Sequence, residues 1–148
     1  NYFELPGMKI LQFAFDGNLK NPYLPENIKG NSWIVYTGTH DNPTSSGWWN
    51  ELNDEIKSKI SERFSKDGKL PVWQLIDMGL ATDAKLFVAP IQDLLSLDNA
   101  SRFNLPGTVD GNWSWRLTSF DSRLENSLAK YSDLAKSHER LFCDAISI

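Results

Sequence analysis

A single cysteine, Cys143, among 148 residues cannot close an internal disulfide, so nothing points to an oxidising compartment and a reducing, cytoplasmic setting is expected. Histidine is almost as scarce, with only His40 and His138. So few imidazoles and one thiol give no basis for a dedicated zinc or iron site, and no glycine-rich phosphate loop occurs, so no cofactor is expected. A Gly-x-Ser-x-Gly elbow is also missing, and the neighbours His40 and Asp41 need not face one site as a relay, which argues against Ser-His-Asp catalysis. Basic residues are outnumbered, 15 to 19. Nucleic acid and anionic membrane, which both need a basic patch, are therefore excluded as main partners. No apolar run approaches the roughly 18 residues of a membrane span. Asn1–Pro6 lack the charged and apolar regions of a signal peptide, and the chain starts without methionine, so an internal piece of a longer protein is expected.

What is present describes an ordinary folded domain: 41% hydrophobic residues are enough to build a core at this length. Three near-continuous apolar runs, Lys9–Phe15, Ser32–Thr37 and Ala84–Ala89, read as strands covered on both faces, for which a parallel sheet is the natural home. Leu52, Ile56, Ile60 and Phe64 recur every four residues and predict a helix that Gly68 could end. Pro71 suits the first turn of a second helix, with Val72, Leu75, Ile76 and Leu80 as its apolar stripe. A last helix is predicted from about Phe120 to Leu141, with Leu124, Leu128, Tyr131, Ala135 and Phe142 on one side. Residues 17–31 and 97–117, rich in Asn, Pro, Gly and Asp, read as long loops. Strands joined through helices make the fold class α/β, yet three parallel strands leave sheet edges bare, a further sign of a fragment.

Each apolar run is followed at once by polar residues: Asp16 after the first, Thr39-His40-Asp41-Asn42 after the second, Gln92-Asp93 after the third. Parallel α/β folds place ligands at those carboxyl ends of the strands. Asp and Asn are also common in any loop or cap, so position relative to the strands is what makes these residues candidates. The six tryptophans add a second signal, since Trp48-Trp49 stand near His40-Asp41-Asn42, and Trp113 and Trp115 lie within the Asn112–Arg116 stretch. A carboxylate accepts hydroxyl hydrogen bonds in a fork, His and Asn add directional partners, and a flat ring covers the CH face of a sugar. The residues point to sugar binding. A stand-alone carbohydrate-binding module built on these tryptophans is the alternative to an enzyme, although such modules are usually antiparallel sandwiches; an independent small α/β domain is a third.

At these residues the chain resembles the amylomaltases, or disproportionating enzymes, which are 4-alpha-glucanotransferases of the α-amylase clan, with bacterial and plastid forms, those of cyanobacteria in particular, looking most similar. The matching stretches, in the family's order, are Leu5–Phe15, Val35–Asn42 with Gly47-Trp48-Trp49, Pro90–Leu95, and Arg102–Thr108 leading to Asn112–Arg116. The resemblance implies that residues 1–148 are the C-terminal part of a (β/α)₈ catalytic domain, about its last three strand-helix units. It implies maltooligosaccharides and alpha-1,4-glucans as substrates, the missing N-terminal part of the same barrel as partner, and a plastid location in a plant or alga. Among three catalytic carboxylates it assigns the transition-state stabiliser to Asp41; the nucleophile and acid/base motifs lie upstream of this chain. His40 would share the sugar's 2- and 3-hydroxyls with Asp41, Asn42 and Trp48 would join the substrate site, and Asn104 would reach the same sugar. Phe13, Phe15 and Asp16 fall where acceptor contacts are expected. Trp113, Trp115 and Gln92 serve either the sugar or the barrel rim. Pro43 departs from the family, many members having an acidic residue there, and from Phe120 the likeness is weak.

Overall fold

The computed structural model describes residues 5–140; the expected end of the last helix at Leu141 and Phe142, and Cys143 in the tail, lie outside them. Three strands, β1 (Gly7–Ile10), β2 (Trp33–Tyr36) and β3 (Leu86–Val88), form one parallel sheet in the order β1-β2-β3. Lys9 pairs with Val35 and Val35 with Phe87, so these three residues share one face of the sheet. Parallel pairing is not the architecture of an antiparallel sandwich, and the carbohydrate-binding-module alternative loses its support.

Among the described residues one face of the sheet is packed under helices and the other is largely bare, as expected of a fragment. Val35 and Phe87 are buried under the helices with Leu11, Ile28, Val72, Leu75, Ile76, Leu80 and Leu94. On the opposite face Met8 and Leu86 stand about half exposed. The first run behaves differently from its expectation: β1 ends at Ile10, and Leu11–Phe13 turn as a 3₁₀ helix closed by Ala14 N–H donating to Leu11 O. That turn tucks Leu11 and Gln12 into the interior instead of extending the strand.

Among the described residues there are five α-helices, three between β2 and β3, α1 (Ser45–Glu51), α2 (Asp54–Ser61) and α3 (Pro71–Leu80), and two after β3, α4 (Ile91–Leu94) and α5 (Ser122–Ser137). The single helix expected through Leu52 and Phe64 is divided. Asn53 caps α2 by accepting from Ile56 N–H, which leaves Leu52 extended, and Phe64 lies past the end, its ring 5.5 Å from that of Trp49. Helix α3 starts at Pro71 and buries its apolar stripe as expected. Gly79 on that helix lets the Phe87 ring rest on its backbone, where any Cβ would collide. Helix α5 is shorter than expected, and Leu128 faces outward. Its end is set by Glu139 at φ 56°, with Glu139 N–H on Lys136 O and Arg140 N–H on Ala135 O, a Schellman closure. Arg140 then ties α5 to the turn after α3, donating to the carbonyls of Leu80 (2.9 Å), Ala84 (2.5 Å) and Thr82.

Candidate functional site at the carboxyl end of the sheet

The middle strand delivers the polar cluster. Beyond Tyr36 the chain leaves the sheet, and Asn42 closes the loop by accepting from the backbone N–H and hydroxyl of Thr39 (2.9 and 2.8 Å). These bonds turn the Asn42 side-chain oxygen back onto its own loop and leave His40 and Asp41 between the two joined residues. Both side chains are half exposed, with His40 Nε2 3.4 Å from Asp41 Oδ2. They line a cleft of about 550 Å³ that is also bordered by Met8 of β1 and by Tyr36 and Val88, the last residues of β2 and β3.

A second loop, arriving from after Ser101, completes the cluster. Asn104 Nδ2 donates to Asp41 Oδ1 at 2.6 Å, and Asn104 N–H donates to His40 O at 3.2 Å. Arg102 bridges the two loops, its Nη2 on Asp41 O (2.6 Å) and its Nε on Asn104 O (2.8 Å). Trp113 lays its ring 4.9 Å from that of His40, and Phe103 meets Trp113 edge-on at 5.3 Å. The Asp41 carboxylate is thus held by one amide on one oxygen, while the other faces an imidazole and the open cleft. Such a group can accept hydroxyl hydrogen bonds or oppose a developing positive charge.

The remaining expected site residues form a separate group. Phe13 is half exposed and packs edge-on to Tyr23 (5.8 Å). Phe15 packs on Trp48 (5.9 Å), and Trp48 on Trp49 (6.3 Å). Asp16 accepts from Asn18 N–H at 2.9 Å, a bond that, with the Asn21 side chain, holds its carboxyl below the usual value. Phe15 and Asp16 border a second cleft, of about 350 Å³, shared with Ile56, Ile60 and Arg63. Phe13 and Trp48 border neither of these two clefts.

Gln92 is buried, its Nε2 on Ser101 O at 3.3 Å, and supports the second loop from beneath. Next to it Asp93 is buried too; burial pushes its carboxyl up, against the pull of hydrogen bonds from Thr37 and Ser45. Sequence reasoning assigned no role to Arg102, and no local signal marks it, since the partner that matters, the Asp41 carbonyl, lies 61 positions away. Among the described residues no group of three or more His, Cys, Asp or Glu could hold a metal ion, and no helix is long and apolar enough to cross a membrane.

Known proteins share both the sequence and the arrangement. Residues 1–122 match the glycoside hydrolase 77 family model, described as 4-alpha-glucanotransferase. The chain is 43% identical over 140 residues to the chloroplastic/amyloplastic 4-alpha-glucanotransferase DPE1 of Arabidopsis thaliana, covering 92% of this chain and 24% of that protein. It is 40% identical over 147 residues to the 4-alpha-glucanotransferase of Thermus thermophilus, covering 94% and 29%. The chain thus spans about a quarter of the length of the curated relatives it matches. An amylomaltase from Streptococcus agalactiae, solved in complex with acarbose, superposes with a TM-score of 0.85 at 31% identity, over 93% of this chain and 28% of that one. The half-bare parallel sheet is thereby explained as part of a TIM barrel, and, as its motifs in order already suggested, the chain belongs to the glycoside hydrolase 77 family of 4-alpha-glucanotransferases.

Proposed function

We propose that this chain is the C-terminal part of a barrel enzyme that moves alpha-1,4-glucan segments between maltooligosaccharides, and that Asp41 is the carboxylate stabilising its transition state. The observation that carries the reading is the setting of Asp41: at the end of the middle strand, over a cleft, with Oδ1 tethered by Asn104 and Oδ2 directed at His40 and open space. In a retaining transfer a nucleophilic carboxylate displaces the leaving glucan, and a sugar hydroxyl resolves the glycosyl-enzyme in place of water. Asp41 and His40 accept and donate to the 2- and 3-hydroxyls of the transferred sugar, with Asn104 alongside, and these bonds strengthen as the ring becomes oxocarbenium-like. Phe13, Phe15 and Asp16 face the acceptor and favour sugar over water. The nucleophile and the acid/base come from strands outside this chain, and the whole enzyme works in the cytoplasm, or in a plastid.

The test is Asp41→Asn in the complete enzyme, which keeps size and one acceptor oxygen but removes the charge. Maltotriose disproportionation is expected to fall on the order of 10² to 10³, about 3 to 4 kcal/mol, at an unchanged melting temperature. Near-normal turnover with lowered stability would reduce Asp41 to a loop-ordering residue. The 148-residue chain alone is expected to release no glucose from maltotriose above a heat-killed control, because a retaining reaction needs two carboxylates that the reading puts elsewhere.

A further inference from the structure

The loop that carries His40 and Asp41 hangs from two points, and one buried side chain holds both. At its start Thr37, fully buried, donates its hydroxyl to Asp93 Oδ2 at 2.5 Å. At its end Ser45, the first residue of α1, donates its backbone N–H to Asp93 Oδ1 (2.8 Å) and its hydroxyl to Oδ2 (2.7 Å). Asp93 itself is 2% exposed, on α4 behind the end of β3. From the β1 side, Gln12 Nε2 donates to Pro43 O at 3.1 Å and lies directly beneath Gly38.

A carboxylate is an expensive group to bury, and a leucine or valine would fill the same space at no such cost. What an apolar residue cannot do is accept three hydrogen bonds from two points of the chain eight positions apart. Only a two-oxygen acceptor joins them. With water excluded, nothing else competes for those donors, so the separation and orientation of the loop's ends are set by one rigid group. The apex between them then has little freedom to move Asp41 relative to the cleft.

We propose that Asp93 is a positioning residue for Asp41, fixing both ends of the 38–44 loop so that the Asp41 carboxylate meets the transferred sugar in one geometry. This rests on the reading of Asp41 as the transition-state carboxylate. The experiment compares Asp93→Asn, Asp41→Asn and the double variant of the complete enzyme in maltotriose disproportionation, recording kcat, KM and melting temperature. Asp93→Asn keeps the volume and one good acceptor but gives up the second. Its kcat is expected to fall about tenfold or more with KM changed less than about threefold, because misplacement of a group that acts in the transition state is felt there. In the Asp41→Asn background the same change should cost less than about twofold, the charge it positioned being gone. An equal factor in both backgrounds would reveal a general structural effect and overturn the proposal, as would a kcat within about twofold of wild type while the variant is folded. Should Asp93→Asn not fold, Thr37→Val and Ser45→Ala each remove donors from the same carboxylate and carry the same expectation. Normal turnover in Asp41→Asn sinks the functional reading and this proposal with it; an inactive Asp41→Asn beside a fully active Asp93→Asn sinks only the positioning role.

Discussion

The loop from Thr37 to Ser45 and the loop from Arg102 to Leu117 reach the same cleft by different means. The first is pinned at its ends by buried side chains, Asp93 and Gln12, that come from neighbouring strand ends. The second is knitted mainly to itself: Asn112 accepts from Leu105 N–H and donates to Thr108, Ser114 donates to Gly111 O, and Arg116 donates to the carbonyls of Trp113 and Trp115. Its side chains look outward, Val109 almost wholly so. Water competes for bonds of the second kind, leaving about 0.5 to 1.5 kcal/mol net from each, whereas a buried donor that loses its acceptor suffers the full desolvation penalty. The pair teaches that a site can be assembled from one rigid and one compliant wall, with Asn104 and Arg102 as the joints between them.

Gly38→Ala in the complete enzyme attacks the rigid wall and should have a larger effect than any change in the compliant one. The new Cβ would lie 2.6 Å from Gln12 Nε2 and 3.3 Å from Asn42 Cβ, and Gln12, buried and bonded to Pro43, cannot swing away freely. Turnover is expected to fall about 10- to 100-fold with an unchanged far-ultraviolet dichroism spectrum, displacement of a reacting geometry by even an ångström being costly. Unchanged turnover would mean that the first loop is as compliant as the second. Trp113 probes the second wall. Trp113→Ala and Trp113→Gly both remove the ring lying on His40, and each should lower turnover several-fold, by about 1 kcal/mol. Because Trp113 adopts φ 59°, the glycine variant should be the more stable of the two by about 1 kcal/mol in thermal unfolding; the reverse order would show that this exposed backbone carries no strain.

The smallest effect is expected on the outer helical layer, away from both walls. Burial pushes the Asp77 carboxyl up, but hydrogen bonds from Lys69 (2.8 Å) and His138 (2.6 Å) outweigh it and hold the group below its ordinary value of 3.8. A depressed folded-state value means stability that is present above the unfolded value and is lost as pH falls through the folded one. Asp77→Asn should therefore be less stable than wild type by about 1 kcal/mol near pH 6, with the gap closing below about pH 4 and turnover unaltered. A gap that grows in acid would contradict the assignment of Asp77 as the stabilising partner.

Residue patterns made some elements readable and hid others. Helix α3 was legible to its first residue, because Pro71 and an apolar stripe are local properties. Helix α1 was not: seven residues offer too few positions for a period, and its Trp48 and Trp49 invited a reading as sugar contacts. The four-residue spacing of Leu52, Ile56, Ile60 and Phe64 crossed a break that a single asparagine cap decided. At the candidate site, His40 and Asp41 were legible as adjacent residues after an apolar run. Asp93 is legible only as one of two polar residues after the third, since nothing local tells a buried carboxylate from one in a loop.

By itself the sequence determined the α/β alternation, the parallel sheet, the family through four ordered motifs, and the clustering of polar residues after each strand, because each of these is written in neighbouring residues or short periods. Tertiary structure alone decided which distant residues meet. Asn104 reaches Asp41 across 63 positions, Arg102 reaches it across 61, and Asp93 reaches Thr37 across 56. Those pairings come from the order and register of the strands, a property of the whole sheet that no window of sequence contains. The early turn at Leu11 likewise takes the chain out of the sheet, so that Phe15 and Asp16 border a cleft of their own.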